Sequence, residues 1–431
     1  MFGWLLRLVG PAAPVVAPPP PVVDKTPEPA VDVSAGFGQR RPLVDRSGHV
    51  AGFELRLPAA TERRLAARVD EVSAAAQYTA LLAAAHGVTA AGRQALVSVP
   101  APLLARPAVA AQAGAGLWLL PVGGHPDAAA TQGLRASGAR IGVADGPPDR
   151  APAADFALLQ ASAGGLDTLL LSAQRWQQAR PRLPLVALGL ESIDDVERAL
   201  AGGIALAGGR FAPAGGARPA KPLQAAAHRI CELLNHLALD RDTVVVADAV
   251  RADVVLCYRL LRWANSPAIG LTRGVESVEQ AVALLGRKEL TRWLSVMLLS
   301  AAGGRQASAA LQEHALARGR LLESLVRKNR TAPPEALFTV GLLSQLDLML
   351  QMPLAAALAP LRLSEAASQA LLEGRGPWAD LLALALALEG DDEVLLAALA
   401  APYGGTDAVL AEAERAWAWA AGLVESRGPP A

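Results

Sequence analysis

Short apolar segments alternate with alanine-rich stretches along the first half of the chain, and this alternation constrains the fold more than any other feature. It runs from about Gly36 to Pro213. Strand–helix alternation implies a parallel sheet with right-handed crossovers, and about seven or eight such units favour a barrel over an open sheet. The predicted strands cover residues 52–57, 95–99, 117–122, 140–144, 156–159, 184–190 and 204–211. The predicted helices include 62–86, 127–137, 168–179 and 193–201.

The strand pattern stops at residues 215–222 (GGARPAKP), which we interpret as a linker. Apolar residues at helical spacing follow it. We therefore expect an α/β barrel over 36–214 and an all-helical domain over 223–431. The predicted helices of the second domain include 225–239, 244–250, 253–264, 278–285, 289–302, 308–328 and 334–350.

Several residues of the second domain are typical of helix ends. Ser277 and Gln280 can form a capping box, in which each side chain binds a free backbone N–H of the first turn. Gly286 stands where a glycine commonly ends a helix. Asn265 tolerates the left-handed conformation that ends helices, and Pro267 then prevents continuation. A role of this Asn265 loop in a partner groove stays open as an alternative.

Residues 1–35 are expected to form a proline-rich tail outside both domains. The first ten residues, MFGWLLRLVG, are too short for a bilayer, which takes about 20 apolar residues, and they lack the pattern of a signal peptide. Contact of this segment with a partner or a membrane surface stays open. No transmembrane segment is expected elsewhere. Two cysteines, Cys231 and Cys257, cannot build a disulfide framework, so we expect a cytoplasmic location.

Charge argues against a nucleic acid or an anionic membrane as the partner. Forty basic side chains balance forty acidic ones, so no net field draws a polyanion to the chain. Hydrophobic residues make up 52% of the chain, which excludes wholesale disorder. The basic residues between Arg318 and Arg330 keep nucleic-acid binding open as a weak alternative.

The stretch QRRPLVDRSGHVAGFELR at residues 39–56 resembles the opening of EAL domains, most closely in proteins that join an EAL domain to an HDOD domain. EAL enzymes are TIM barrels that hydrolyse cyclic di-GMP. They use two divalent cations, which need several hard oxygen ligands at the carboxyl ends of the strands. The resemblance implies that Glu54 corresponds to the first metal-ligating glutamate of that family.

Most other positions that this resemblance assigns to metal or catalysis have lost their chemistry. Ser98 replaces an asparagine ligand, Leu158 the catalytic lysine and Leu188 a glutamate. Ala144 replaces the first aspartate of a pair, whose second member, Asp145, is retained. The barrel is thus expected to be a degenerate TIM-type barrel. Its relic site positions are Glu54, Ser98, Asp145 and Glu191.

Lysine is absent from the whole predicted barrel, because no lysine lies between Lys25 and Lys221. No alignment register can supply a catalytic lysine, and arginine, which stays protonated, cannot replace it in proton transfer. We expect no enzyme activity, no metal and no other cofactor. The retained acids would repel a dianion, so cyclic di-GMP is not expected to bind. As an alternative to a ligand pocket, the retained acids are explained as polar side chains at strand ends of the barrel mouth.

The helical half resembles the HDOD domain, a relative of HD-type metal phosphohydrolases. Residues 255–267 (VLCYRLLRWANSP) and 275–286 (VESVEQAVALLG) carry the strongest match. By this resemblance Ser344 and Gln345 stand at the metal-binding His-Asp pair, and His314 is the candidate for the upstream histidine. Neither the Ser344 nor the Gln345 side chain is a competent metal ligand. Each should find a hydrogen-bond partner, because an unpaired buried polar group costs about 1–3 kcal/mol.

These expectations together favour a signalling scaffold or adaptor without catalytic activity. It would bind a protein partner, whose identity the sequence leaves open, through the HDOD domain. The alternatives are a cyclic di-GMP-binding effector and a residual cyclic di-GMP phosphodiesterase. Nucleic acid is not an expected partner.

Overall fold

Eight strands close into a barrel in the first half of the described chain. The computed structural model describes residues 38–67, 71–144, 146–161, 165–216, 218–266, 269, 274–302, 304–329 and 332–425. The barrel order is β1 to β8, with β1 antiparallel to both neighbours and the other pairs parallel. The strands are β1 Gln39–Asp45, β2 Val50–Arg56, β3 Gln94–Pro100, β4 Leu117–Val122, β5 Arg140–Ala144, β6 Phe156–Gln160, β7 Leu185–Leu190 and β8 Leu206–Gly209.

The first strand, β1, was not among the predicted strands. Its opening, QRRP, is polar and contains a proline, so it lacks the apolar run of the other strands. Pairing with β2 and β8 makes it a strand, and Leu43 and Val44 are fully buried there. Arg40 and Arg41 form ion pairs with Glu414 and Asp391 of the helical half.

The helices beside the barrel strands follow the expected alternation except between β5 and β6, where the described residues contain no helix. The predicted helix over 62–86 is described as two helices, and residues 68–70 between them lie outside the described residues. The six helices described here are α1 Ala59–Ala67, α2 Glu71–Ala90, α3 Pro107–Ala110, α4 Ala128–Ala136, α5 Gly165–Ala179 and α6 Ile193–Ala201.

The second half contains helices and no strand among its described residues. The expected fold class, a TIM-type barrel followed by an all-helical domain, is therefore confirmed. The helices are α7 Ala225–Ala238, α8 Thr243–Arg251, α9 Val254–Ala264, α10 Val278–Ala301, α11 Ser308–Asn329, α12 Pro334–Leu343, α13 Leu346–Leu350, α14 Leu354–Leu358, α15 Glu365–Ser368, α16 Ala379–Glu389, α17 Glu393–Ala400 and α18 Thr406–Glu425.

Three features at predicted helix ends need comment. Gly286 is non-helical, with φ of 70°, and kinks α10 where the sequence predicts a helix end. Ser277 Oγ accepts from Gln280 N at 3.1 Å, while Gln280 Oε1 accepts from Glu276 N at 3.1 Å. The capping box is thus present, except that Gln280 accepts from the backbone N–H of Glu276 instead of from that of Ser277. The single helix predicted over 334–350 is wrong, because the chain breaks into α12 and α13 at Ser344.

Apolar packing divides the barrel into two layers. The barrel interior holds a small cluster that includes Leu43, Trp118 and Phe156. The outward faces of the strands belong to a larger cluster that continues through the surrounding helices into the helical half. Because this cluster includes residues of both halves, the two halves share a buried boundary. The division into domains at residues 215–222 stays a prediction.

The turn between β1 and β2 is one place where the helical half approaches the barrel closely. Asp45 Oδ1 accepts from Ser47 N at 2.9 Å and from His49 N at 3.1 Å. Gly48 has φ of 80°, and a Cβ there would lie 1.8 Å from Gln306 O. Only glycine fits this position, because it allows both the left-handed backbone and the contact.

Within the described residues, no single helix combines the length and the apolar character needed to cross a membrane. One bent pair, Glu393–Tyr403 with Thr406–Leu423, meets that test by length and composition alone.

Candidate functional site

A cavity of about 800 Å³ opens at the carboxyl ends of the barrel strands. The positions that the EAL resemblance assigns to metal binding and catalysis meet there, although they are far apart in the sequence. Those that line the cavity are Glu54 on β2, Ser98 on β3, Ala144 on β5, Leu158 on β6 and Leu188 on β7. The structure therefore brings together five of the assigned positions.

Glu54 is the retained acid that faces this cavity. Burial raises the pKa of its carboxyl group, and the positive charges of Arg56 and Arg41 act in the opposite direction. Arg56 Nε lies 3.9 Å from Glu54 Oε1. Glu191 is exposed and is not among the lining residues. Asp145 lies outside the described residues.

The residues at the mouth do not fit the two divalent cations of EAL enzymes. Mg²⁺ requires near-octahedral oxygen coordination, and Ala144, Leu158 and Leu188 have no side-chain oxygen. Among the described residues, no three His, Cys, Asp or Glu side chains come together as a metal site. Of the five assigned positions at the mouth, Glu54 and Ser98 alone carry a side-chain oxygen, which is too few for two cations.

Three arginines at the mouth converge on one carboxylate of the helical half. Arg41 forms an ion pair with Asp391, Arg56 Nη1 lies 3.8 Å from it and Arg210 Nη2 lies 3.6 Å from it. Partial burial acts to raise the pKa of Asp391, but these arginines hold it below its usual value. The turn between α16 and α17 thus reaches the barrel mouth, where Arg41 and Arg56 line the cavity together with Glu54, Glu62 and Glu71.

The second candidate site lies on α11 at His314. The structure brings His314, Ser344 and Gln345 together, as the HD resemblance implies. Gln345 contacts His314 Nδ1 through its side-chain amide. Ser344 Oγ accepts from Arg318 Nη1 at 2.7 Å and donates to Gly341 O at 2.7 Å. Both polar side chains therefore have partners, as expected.

Glu389 supplies the carboxylate of this site, and two cation-forming side chains hold it. Arg318 donates from Nε and Nη2 to its two oxygens at 2.9 and 2.6 Å, and His314 Nε2 lies 3.1 Å from Oε1. Burial opposes ionisation, but Arg318 and His314 lower the pKa of Glu389 to about 2. Because Arg318 occupies both oxygens, this group does not fit a metal.

Sequence reasoning missed Arg318 and Glu389 at this site. Arg318 follows His314 by four residues on α11, a spacing that places both on one helix face and that could have indicated it. Glu389 comes from the end of α16, and no local pattern marks it. A cavity of about 230 Å³ beside this group is also lined by Phe211 of the barrel half.

The comparison with known families agrees with the helical architecture. The family model described as "HDOD domain" matches residues 221–373, which contain α7 to α15. This part of the chain is an HDOD domain. His314, Ser344 and Gln345 lie inside it, whereas Glu389 lies beyond its end. The carboxylate that completes the His314 site thus comes from beyond the matched residues.

Individual relatives cover the chain in part. The chain is 27% identical over 164 residues to an uncharacterized protein of Bacillus subtilis (strain 168), YuxH, and this match covers 37% of the chain and 40% of YuxH. The chain thus spans less than half the length of this relative.

Solved structures similar to the chain include EAL domain proteins. One from Listeria monocytogenes EGD-e has a TM-score of 0.30 at 13% identity and covers 40% of this chain and 85% of that one. Klebsiella pneumoniae BlrP1, in a calcium and cyclic di-GMP complex, has a TM-score of 0.33 at 14% identity and covers 40% and 54%. With TM-scores below 0.5, these likenesses add nothing to what the eight strands themselves show.

Proposed function

We propose that this chain is a signalling scaffold without catalytic activity, in which an EAL-like barrel and an HDOD domain act by binding other proteins. The observation that carries the proposal is the composition of the barrel mouth. Ala144, Leu158 and Leu188 line one cavity with Glu54, at the positions where hydrolysis would require oxygen ligands and a lysine. The assigned positions thus lack most of the ligands and the lysine that two-metal hydrolysis uses, which supports a role without catalysis.

Exposed apolar side chains on the HDOD domain support protein binding as its mode of action. Val254 and Tyr258 are exposed one turn apart on α9, and Val244 is exposed at the start of α8, which packs against α9. Val254 and Tyr258 lie four residues apart on one helix face, and adjacent exposed apolar groups mark interaction surfaces more often than a scattered single residue does.

A second candidate function is a cyclic di-GMP-binding effector, and one observation favours it. Arg41, Arg56 and Arg210 share the single carboxylate of Asp391 at the mouth. The expectation that retained acids would repel a dianion considered only the acids, whereas these arginines are cations that can donate to a phosphate, beside Glu54, Glu62 and Glu71 on the same cavity. The name of the BlrP1 structure includes cyclic di-GMP, which makes this nucleotide the ligand to test.

Two measurements separate these functions. The full chain is expected to show no hydrolysis of cyclic di-GMP with Mg²⁺ or Mn²⁺, and no heat of binding in calorimetry. Turnover that disappears in Glu54→Ala would overturn the scaffold proposal. Binding without turnover that is lost in Arg56→Ala would instead establish the effector. A cytoplasmic location stays a prediction.

A further inference from the structure

The cavity at the carboxyl ends of the barrel strands, about 800 Å³ in volume, has an apolar floor. We refer to it as the mouth cavity. Leu120, Leu158 and Leu188 line it and also belong to the apolar cluster of the barrel interior. Each of these three leucines is 4% exposed. The mouth cavity therefore ends on the packed side chains of the barrel core.

Apolar side chains also line the sides of the mouth cavity. Leu65 of α1 and Tyr78 of α2 come from the helices that follow β2, and Leu103 comes from the segment after β3. An apolar molecule gains free energy by covering such surfaces, because it releases water from them. Small-molecule sites commonly measure about 300–1,000 Å³ and carry a few polar groups on a mostly apolar wall. The mouth cavity has this size and this kind of wall.

Three polar side chains line the mouth cavity from separate strands: Glu54 on β2, Ser98 on β3 and Gln160 on β6. No hydrogen bond to another described residue occupies any of these three side chains. Arg56 Nε lies 3.9 Å from Glu54 Oε1, which is beyond hydrogen-bond distance. The three polar groups are therefore available to the polar end of a ligand.

The charged residues of the mouth cavity do not favour an anion. Its two arginines, Arg41 and Arg56, already form ion pairs with Asp391. The carboxylates of Glu62 and Glu71 line the same cavity. An anionic ligand would have to share these arginines with an acid and to lie beside further acids, whereas an uncharged ligand meets neither cost.

We propose that the mouth cavity binds an uncharged small molecule with an apolar body and a hydroxyl or amide end. The apolar body lies on the leucine floor, and the polar end exchanges hydrogen bonds with Glu54, Ser98 or Gln160. The inference rests on the proposed function in one respect, the absence of hydrolysis at the mouth. It goes beyond that function by assigning the cavity a class of ligand.

The test is a fluorescence titration of Nile red, an uncharged apolar dye, with the full chain. Ala144 and Gln160 are exposed and line the mouth cavity, so Ala144→Trp and Gln160→Trp fill it without entering the core. Each variant should weaken dye binding about tenfold. The matched control is Ala129→Trp, at an exposed position of α4 that does not line the mouth cavity. It should leave binding unchanged.

Competition between octanol and octanoate tests the charge of the ligand. The two molecules share one apolar chain and differ at the polar end. Octanol should displace the dye at an about tenfold lower concentration than octanoate, because the carboxylate loses its hydration beside Glu54 and Glu62.

Three outcomes would overturn the proposal: no saturable dye binding, unchanged binding in the folded filled variants, or displacement of the dye by octanoate or cyclic di-GMP as readily as by octanol. The two filled variants lie on separate strands, so either one that folds, as shown by circular dichroism, decides the result. Failure of the proposed function is measured separately, because it appears as turnover of cyclic di-GMP and not as a change in dye binding.

Discussion

Glu389 shows how a single residue changes the chemistry of an inherited site. It sits where the HD resemblance places a metal centre, yet its oxygens accept hydrogen bonds from Arg318 and face His314. An arginine on a carboxylate takes the place of the cation–carboxylate contact that a metal would make. The site thus contains an arginine–carboxylate pair, and both carboxylate oxygens are occupied by it.

Acid should weaken the fold through this residue. Glu389 has a pKa of about 2 in the folded chain and about 4.3 when unfolded. Because the folded pKa is the lower one, its stabilisation is fully present above about pH 4.3 and is lost as the pH falls towards 2. Glu389→Gln should lower the free energy of unfolding at pH 7 by about 1–3 kcal/mol.

Urea unfolding of both proteins across the acid range measures this effect. The stability difference between the wild-type chain and Glu389→Gln should narrow as the pH falls. A difference that stays constant down to about pH 3 would contradict the assignment.

At the scale of elements, the end of α9 is held by a side chain rather than by backbone geometry. Asn265 has φ of −87°, so the expected left-handed conformation is wrong. Its Nδ2 donates to Leu261 O and Val275 O, each at 2.9 Å, and its Oδ1 accepts from Val275 N at 2.7 Å. Asn265 therefore ties the end of α9 to the segment that leads into α10.

Replacement of Asn265 and replacement of Ser266 should affect the free energy of unfolding differently. Asn265→Ala removes three hydrogen bonds and should cost about 1–3 kcal/mol in the free energy of unfolding. The buried hydroxyl of Ser266 has no partner within the described part of the chain, so Ser266→Ala should be neutral or slightly stabilising. Thermal unfolding of both variants tests this, and equal losses would show that the loop responds to any truncation.

At the scale of the whole molecule, one arginine joins the two halves. Arg305 is buried, and its guanidinium donates to Asp194 at 2.7 Å and to both oxygens of Glu197 at 2.9 Å, two acids on α6 of the barrel. It also donates to Leu348 O at 3.0 Å. A buried group with these bonds orients the halves, because each bond has a defined direction.

Arg305→Ala should therefore destabilise the whole chain. Arg305→Ala leaves Glu197 without this guanidinium, whereas Asp194 keeps its ion pair with Arg218, and the loss of one partner of a buried ion pair costs about 3 kcal/mol. Arg198→Ala, also on α6 but exposed, is the control and should change stability by less than about 1 kcal/mol. Chemical denaturation gives both values, and an equal effect of the two variants would contradict a joining role for Arg305.

The sequence by itself determined that a barrel precedes a helical domain. It also determined which residues occupy the positions that the EAL and HD resemblances assign to metal binding and catalysis. Apolar runs identified seven of the strands, because a buried strand needs apolar residues at short range. The absence of a metal ligand at Leu188, a position that the EAL resemblance assigns to a glutamate, is visible without coordinates, because a leucine has no metal-binding atom in any fold.

Tertiary structure alone decided the features that depend on distant segments. The polar β1 is a strand because β2 and β8 supply its hydrogen-bond partners. Ser344 breaks a helix that local pattern predicts, where its hydroxyl binds Arg318. Glu389 and Asp391 reach their arginines from the far end of the chain. Local propensity contains no information on such pairings, since their energy exists only once the chain has folded.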